Sequence, residues 1–417
     1  MQPGFVLERI QSRGFERSQR ELRLRIAAFV SHPIQYRTPL WQELGRRPGI
    51  ELTVFYFSKH GVVPAVDPGF GVAFAWDIDV LAGHAHVFLP RCWPTRDPLD
   101  YGAWALNRGI VAELRKGWDA VFIAGYAHAN NWLIVAACQL LGIPVICFAD
   151  TTLRSAQART FGKRLLKRWL LTRFVRRVTA FLAAGGQTRT YFEHYGAAPE
   201  SIFICPYAVD VARFREVVAR AGPGGREALR HRWRIPPHAR IAMFCGKLVP
   251  WKRPLDLVLA VEAIDRSDVV AVFVGDGELR EAILTRGGER VRVTGFVNQS
   301  EIPLALSLAD VFVLSSSFEP YGMVVAEAQC LGVPAIVSDA CGCHGKSSVV
   351  RPDVSGFVYP TGDVAALASK IEFLLADEPI RRRMGQQASL QGETQSNVAA
   401  ADGFLSAVEF AQGKRRS

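Results

Sequence analysis

Two carboxylates, Glu319 and Glu327, have seven residues between them and flank a stretch that could bind an anion. The run from Pro320 to Val324 reads as a loop that leads into a helix. The first backbone N–H groups of a helix, here those of residues 322–324, lie at its positive end, which suits a diphosphate. Carboxylates accept hydrogen bonds from vicinal hydroxyl groups, so a glutamate on each side of a phosphate suits a nucleotide sugar. The spacing alone also allows Glu327 simply to face solvent.

The elements around these glutamates form a predicted strand, loop, helix and strand. Val311–Leu314 and Ala335–Val337 are unbroken apolar runs, which is typical of buried parallel strands. Between them apolar residues recur at helical spacing, and Gly332 followed by Pro334 predicts where the helix ends. Glu319 is therefore predicted in the loop after the first strand, and Glu327 about one turn inside the helix.

A second group of candidates, Gly246, Lys247 and Lys252, follows the predicted strand Ile241–Cys245. Two cations beside a glycine at the end of a strand can neutralise a diphosphate. Lysines after strands are common on protein surfaces, so this pattern by itself is only moderately specific.

The Glu-x7-Glu pattern from Glu319 to Glu327, in the setting FEPYGMVVAEAQCLGVPAIVSD, resembles the signature of glycosyltransferase family 4. The resemblance implies an α/β protein with the GT-B fold, in which two doubly wound, Rossmann-like domains face a cleft. It implies a retaining enzyme that moves a sugar from a nucleotide-diphosphate sugar to a hydroxyl, without a cofactor or an essential metal. Glycan, polysaccharide or glycolipid synthesis is the expected setting. The resemblance is strongest from Ala180 to Asp363.

The resemblance also implies roles for single residues. Gly246, Lys247 and Lys252 are similar to the family's Gly-Arg-x4-Lys donor motif, with Lys247 in place of arginine, which keeps the charge but loses bidentate geometry. Phe296 and Val297 follow a strand where relatives hold the nucleobase. The implied donor-binding residues are Gly246, Lys247, Lys252, Phe296, Val297, Tyr321, Gly322, Met323, Val324 and Glu327, with Glu319 as a catalytic residue.

The first half of the chain begins as a βαβ unit, with strands at Arg25–Ser31 and Glu51–Ser58 and a helix from about Ile34 to Arg46. Ligands of doubly wound sheets gather at the carboxyl ends of strands, so His32 is predicted to be a polar contact on the acceptor side of the cleft. Many relatives have a Gly-rich loop at this point, whereas this chain has SHPIQYRTPL.

Two more polar residues follow later strands of the first half, and both are candidate catalytic residues. Asp150 ends the strand PVICFAD, where relatives often hold a cleft histidine, and we expect Asp150 to orient an acceptor hydroxyl. His128 follows the strand DAVFIAG, and we expect it near the phosphates.

Two patterns could bind a metal, but a structural role explains each better. Asp77-Ile78-Asp79 matches an Asp-x-Asp metal motif of another glycosyltransferase fold, yet apolar residues alternate with the aspartates as on a half-buried strand. Cys341 and Cys343 with His344 form the one cysteine cluster, and a zinc site would need a fourth ligand. No metal is therefore predicted.

The length of 417 residues suits two domains. The predicted organisation is a flexible leader over 1–24, an acceptor-side domain over 25–207 and a nucleotide-sugar domain over 208–397. A last helix, 398–411, is expected to cross back onto the first domain. Within the second domain, residues 219–238 are rich in Gly, Pro and Arg and predict a connector.

Charge and cysteine usage bear on location and partners. The eight scattered cysteines indicate a reducing cytoplasm, and no apolar run is long enough to span a bilayer. A formal charge of +11 indicates acidic partners: a nucleotide sugar donor above all, with a glycan or lipid-linked acceptor. Nucleic acid is not expected as a partner.

The segment 163–178 holds seven of the cations and could contact the anionic inner face of the membrane. On a helical wheel its basic residues surround the whole circumference, which favours an ordinary surface helix. Two rival functions stay open: a nucleotide-sugar epimerase, which shares the fold, and a non-enzymatic basic protein that binds membrane or nucleic acid.

Overall fold

The computed structural model describes residues 23–63, 65–66, 73–74, 76–93, 104–154 and 161–416. Nearly all of the predicted leader, residues 1–24, lies outside these ranges. The strands are, in chain order, β1 (Leu24–Val30), β2 (Ile50–Tyr56), β3 (Ala65–Val66), β4 (Ala73–Phe74), β5 (Ala85–Phe88), β6 (Ala120–Ala124), β7 (Val145–Ala149), β8 (Ala180–Ala183), β9 (Ile202–Ile204), β10 (Arg240–Cys245), β11 (Val269–Val274), β12 (Val291–Gly295), β13 (Val311–Leu314), β14 (Ala335–Ser338) and β15 (Gly356–Tyr359). The α-helices are α1 (Thr38–Arg46), α2 (Ile110–Leu114), α3 (Ala129–Leu141), α4 (Phe161–Val175), α5 (Gly186–His194), α6 (Val211–Arg232), α7 (Leu255–Ala263), α8 (Arg280–Gly287), α9 (Ile302–Leu306), α10 (Met323–Cys330), α11 (Val364–Ala376), α12 (Glu378–Glu393) and α13 (Asn397–Arg416).

The long strands form two parallel sheets, one in each half of the chain. The strand order is β5-β2-β1-β6-β7-β8-β9 in the first sheet and β12-β11-β10-β13-β14-β15 in the second. In each sheet the chain first adds strands on one side of its first long strand, β1 or β10, and then adds strands on the other side. The order of strands therefore reverses beside β1 and β10. The prediction of two doubly wound α/β domains is confirmed. In such sheets ligands bind beyond the carboxyl ends of the strands at the reversal point.

Apolar residues in consecutive positions explain why these strands are central. All six residues of β11 and all four of β13 are buried, because helices cover both faces of a parallel sheet. One hydrophobic cluster includes side chains of both sheets, and a second lies on the other face of the first sheet. The packed core therefore holds the ends of these strands in fixed positions.

The last helix, α13, packs against the first sheet, although the chain enters it from the second domain. The Phe404 ring lies 5.6 Å from the Phe122 ring of β6 and 6.3 Å from the Trp41 indole of α1. Asp402 forms an ion pair with Arg47 at 2.9 Å. The two domains are thus tied together by the end of the chain as well as by the crossing near residue 207.

The segment 219–238 is mainly helical, so the prediction of a connector there is wrong. The helix α6 continues to Arg232, interrupted at Gly222, whose φ of +60° breaks the helical path. Pro223 then restarts the helix, because proline fits the first turn, where its missing N–H is not needed. Gly and Pro mark a kink here rather than a loop.

Smaller differences from the predicted elements lie in the first domain and near the end of the second. The helix α1 begins at Thr38 rather than near Ile34, with Pro39 in its first turn. Residues 76–80 form no strand, although Val80 is buried. The edge strand β5 and the helix α12 were not predicted.

Candidate functional site

A cavity of about 530 Å³ lies between the two domains, at the carboxyl ends of their strands. It is lined from the first domain by His32, Ile34, Gln35, Tyr36, His60, Gly61, Val63, Trp76, Asp150 and Tyr207. From the second domain it is lined by Cys245, Gly246, Lys247, Lys252, Val274, Gly275, Phe296, Val297, Gln299, Ile302, Glu319, Pro320, Tyr321, Gly322, Met323, Val324 and Glu327. All the predicted site residues except His128 are in these two sets, so residues separated by up to three hundred positions share one space.

Glu319, Lys252 and the start of α10 meet inside this cavity. The Lys252 ammonium contacts one carboxylate oxygen of Glu319, and the Gly322 N–H donates to the other at 3.2 Å. Both side chains of the ion pair are largely shielded, with Lys252 22% and Glu319 13% exposed. The Glu319 carboxylate thus lies between the two positive groups that were predicted to bind a diphosphate. The space between Lys252 and the Gly322 N–H is therefore a position that accommodates a negative charge.

The loop before α10 is held in place from both domains. Gly322 adopts φ +78°, and a Cβ there would lie 2.9 Å from the Leu314 side chain, so glycine suits this position. The Tyr321 hydroxyl donates to Gln395 at 2.5 Å, and its ring lies 5.0 Å from the ring of Tyr207. These contacts fix the position and direction of the first N–H groups of α10.

The loop that carries Lys247 is supported by a close backbone approach. A Cβ on Gly275 would lie 2.0 Å from the Gly246 carbonyl oxygen, and both glycines have a φ of +147°. The Leu248 N–H donates to the Asp276 carbonyl at 2.9 Å. The loops after β10 and β11 therefore pack backbone against backbone, which sets Lys247 at the cavity wall.

Glu327, one turn inside α10, is half-buried at the cavity and does not simply face solvent. Burial raises the pKa of Glu327 to about 7, and the charge of Arg213 partly opposes this shift. Glu327 is therefore a carboxyl group that changes its charge near neutral pH.

His32 lies beyond the end of β1 at the first-domain wall. Its ring stands edge-on to the ring of His60, with centroids 5.1 Å apart, and its Nδ1 is 3.0 Å from the Ser31 hydroxyl. Burial, followed by the charges of His60, His128 and Arg37, lowers the pKa of His32 to about 3. His32 is therefore a neutral imidazole at physiological pH, able to donate or accept a hydrogen bond.

His128 is the predicted site residue that does not line the cavity. It precedes α3, and its ring lies 6.4 Å from the ring of Phe57. Its charge is one of the influences that lower the pKa of His32. Because His128 is not among the residues that line the cavity, the predicted position near the phosphates is not supported.

Asp150 lies at the cavity wall and accepts a hydrogen bond from the Tyr207 hydroxyl at 2.9 Å. Burial, together with the nearby Asp150 charge, raises the pKa of Tyr207, which therefore stays a donor. The Arg37 guanidinium lies 4.1 Å from the Phe148 ring and 5.3 Å from the Tyr207 ring. The Tyr207 hydroxyl thus orients Asp150, and the Arg37 guanidinium packs against the Tyr207 ring.

Several residues of the cavity were missed by the sequence reasoning. Gln35 and Tyr36 belong to the loop SHPIQYRTPL, of which only the histidine was singled out. The Gln35 Oε1 atom is buried and has no hydrogen-bond partner among the residues that the structure describes, which suits a ligand donor. His60 and Trp76 also line the cavity and come from the irregular segment after β2. The signal that could have indicated His60 was its position shortly after the end of a strand.

The candidate metal patterns have structural roles in the part of the chain that the structure describes. Asp77 accepts hydrogen bonds from the backbone and side chain of Ser300, across the two domains. Asp79 accepts from the N–H groups of a turn that follows it. Cys341 and Cys343 are buried. Among the described residues, no group of three or more His, Cys, Asp or Glu side chains could hold a metal ion.

Two doubly wound domains that face a cleft, with the start of α10 and two lysines lining it, have the architecture of a GT-B glycosyltransferase. Comparison with known families agrees with this class. Residues 40–213 match the model described as Glycosyltransferase Family 4, and residues 225–391 match the model described as Glycosyl transferases group 1. The chain belongs to glycosyltransferase family 4.

Two curated relatives illustrate this membership. A D-inositol 3-phosphate glycosyltransferase of Streptomyces bingchenggensis is 30% identical over 243 residues, which are 54% of this chain and 51% of the relative. The match therefore spans about half the length of that relative. An alpha-D-kanosaminyltransferase of Streptomyces kanamyceticus is 25% identical over 333 residues, which are 74% of this chain and 82% of the relative.

A solved structure shares the fold over nearly the whole chain. The crystal structure of Anabaena Alr3699/HepE in complex with UDP is 17% identical, with a TM-score of 0.69, and the match covers 92% of this chain and 98% of that one. At this identity the likeness supports the fold alone.

Proposed function

We propose that this protein is a retaining glycosyltransferase that moves a sugar from a nucleotide-diphosphate donor to a hydroxyl group. The observation that carries the proposal is the convergence of Lys252, Glu319 and the Gly322 N–H at the start of α10. The Glu319 carboxylate lies between the Lys252 ammonium and the N-terminal end of α10. A diphosphate fits the same positive environment.

In the proposed donor complex, the diphosphate binds at the start of α10 and beside Lys247 and Lys252. The departing diphosphate gains negative charge in the transition state, so positive groups fixed at that point lower the barrier. Glu319 then contacts hydroxyl groups of the transferred sugar. Glu327, farther along the same helix, accepts from the ribose hydroxyls.

The nucleobase is proposed to lie near Phe296 and Val297, which line the cavity at the end of β12. The acceptor binds on the first-domain wall, where Asp150 orients its hydroxyl and neutral His32 supplies a polar contact. The role proposed for Asp150 is that of a fixed hydrogen-bond acceptor, because the Tyr207 hydroxyl holds its carboxylate in place.

Retention is proposed through attack on the same face of the sugar. The bond from the anomeric carbon to the acceptor oxygen forms as the bond to the diphosphate oxygen breaks, and the acceptor proton passes to the departing phosphate. The proposal assigns no side chain the role of a nucleophile that would form a covalent intermediate. The proposal includes no metal and no cofactor.

The test is a panel of labelled nucleotide sugars, first screened for slow hydrolysis and then incubated with acceptors. Inositol 3-phosphate is one acceptor to include, because one relative is named for it, alongside glycans and lipid-linked saccharides. The expected product is a glycoside with the anomeric configuration of the donor. Conversion of the donor sugar to its epimer without any acceptor would instead identify an epimerase.

Two variants separate the parts of the proposed site. Lys252→Ala should weaken nucleoside diphosphate binding and lower turnover, while Glu319→Ala should abolish transfer without weakening that binding. Lys346→Ala is the matched control, since Lys346 is an exposed lysine of the same domain outside the cavity. Unchanged transfer activity in both site variants would show that this site takes no part in the reaction.

A further inference from the structure

The helix α4 exposes four large apolar side chains on its first three turns. Leu165, Leu166, Trp169 and Leu170 are 54%, 57%, 57% and 37% exposed, respectively. Leu165 and Trp169 are an i,i+4 pair, and Leu166 and Leu170 are another beside it, so the four side chains form one continuous strip. We call this strip the outer surface of α4.

Other residues of the same segment attach it to the first domain. Leu171, Phe174 and Val175 are buried, and so is Val178 just after the helix. The Phe174 ring lies 4.8 Å from the ring of Trp132 in α3. The segment therefore has two apolar faces, an inner one near its end and an outer one near its beginning. This explains why a helical wheel over the whole segment shows no single apolar face.

Cations surround the outer surface of α4. Lys163, Arg164 and Arg168 are exposed on the helix, and Arg176 and Arg177 are exposed just after it. The Arg173 guanidinium lies 5.3 Å from the Trp169 ring, which places a cation directly beside an exposed aromatic. From residue 161 to residue 178 the sequence contains no acidic residue. The strip thus combines exposed apolar area with charge of a single sign.

We propose that the outer surface of α4 binds the surface of an anionic phospholipid bilayer. Tryptophan and leucine side chains enter the boundary between headgroups and acyl chains, while the surrounding lysines and arginines contact lipid phosphates. This is a peripheral contact: no helix in the described ranges is long and apolar enough to cross a membrane. The proposal does not depend on the chemistry of the cavity, because none of the α4 side chains that the structure describes lines the cavity wall.

The test is co-sedimentation of the full chain with vesicles. One set is phosphatidylcholine alone, and the other contains equal parts of phosphatidylcholine and phosphatidylglycerol. The chain is expected to bind the anionic set and to release from it as salt is raised. The double variant Leu165→Gln, Trp169→Gln should bind at least about tenfold more weakly. The double variant Lys163→Gln, Arg168→Gln should bind about twenty-five-fold more weakly, at about fivefold per cation.

Control variants are available on the second domain. Leu390, 63% exposed on α12, gives Leu390→Gln as the control for lost apolar area. Arg383, exposed on the same helix, gives Arg383→Gln as the control for lost charge. Circular dichroism and nucleoside diphosphate binding should be the same in all these variants, because every substituted side chain is exposed and lies outside the cavity.

Three kinds of result would overturn the proposal. One is a loss of selectivity: equal binding to neutral and anionic vesicles, or binding that the control variants weaken as much as the α4 variants do. Another is a dimer of the wild-type chain in the absence of lipid that becomes a monomer in the Leu165→Gln, Trp169→Gln variant. The outer surface of α4 would then be an interface between copies of this chain. The third is tight binding to RNA or DNA that the same α4 variants remove.

Discussion

Replacing Glu319 by glutamine should strengthen the binding of a bare nucleoside diphosphate, although it removes transfer activity. The Glu319 carboxylate contacts both Lys252 and the Gly322 N–H. A diphosphate that enters the same position must displace this carboxylate or share its two partners. Glutamine keeps the size of the side chain but removes the competing charge.

The magnitude follows from the burial of the ion pair. Lys252 and Glu319 are 22% and 13% exposed, so the pair lies between the surface and buried cases. Surface pairs contribute up to about 1 kcal/mol, and breaking a buried pair costs about 3–5 kcal/mol. An intermediate value of about 1–2 kcal/mol corresponds to a dissociation constant about five- to thirtyfold lower in Glu319→Gln.

Isothermal titration calorimetry with nucleoside diphosphates that lack a sugar measures this effect, because no contact between Glu319 and a sugar then contributes. Lys252→Ala should weaken binding, and the gain from Glu319→Gln should disappear in the Lys252→Ala background. Equal or weaker binding by Glu319→Gln, with the fold intact, would refute the competition between carboxylate and phosphate. So would a gain that persists without Lys252.

Three further predictions concern other parts of the site. Because burial raises the pKa of Glu327 to about 7, its carboxylate accepts ribose hydroxyls only above that pH; nucleotide-sugar affinity should rise with pH through about 7, and Glu327→Gln should remove this dependence. Tyr207→Phe should lower kcat about tenfold, with the donor KM unchanged, because Asp150 loses the hydroxyl that holds it; an equal loss in donor binding would contradict this role. Gly275→Ala should lower the free energy of unfolding by about 2–4 kcal/mol in denaturant titrations, since its Cβ would overlap the Gly246 carbonyl, whereas Gly224→Ala, with open space around it, should cost nothing.

The second-domain wall of the cavity could be predicted from the sequence because many of its residues are close together along the chain. Glu319, Gly322 and Glu327 belong to one loop and one helix, and apolar runs on both sides define the strands. The position of a residue after a buried strand was enough to place Lys247 and Phe296 at the same edge of the sheet. Local pattern and fold class therefore agree in this part of the chain.

The first-domain wall of the cavity could not be predicted to the same depth, because contacts between distant segments build it. Nothing near Asp150 in the sequence shows that Tyr207, on the crossing between domains, would donate to it. The position of His128 after a strand suggested the cavity, yet His128 is not among the lining residues and its ring lies 6.4 Å from that of Phe57. Gly222 and Pro223 were interpreted as a loop, since sequence pattern does not separate a kinked helix from a connector.

The central claim is that the start of α10, with Lys247 and Lys252, binds the diphosphate of an activated sugar. The most direct test is calorimetry of the wild-type chain with a nucleoside and with its monophosphate and diphosphate, repeated for several bases. We expect one base for which the diphosphate binds at least about a hundredfold more tightly than the nucleoside, and Lys252→Ala should remove most of that difference. Equal affinity for nucleoside and diphosphate, or no binding of any diphosphate, would contradict the claim.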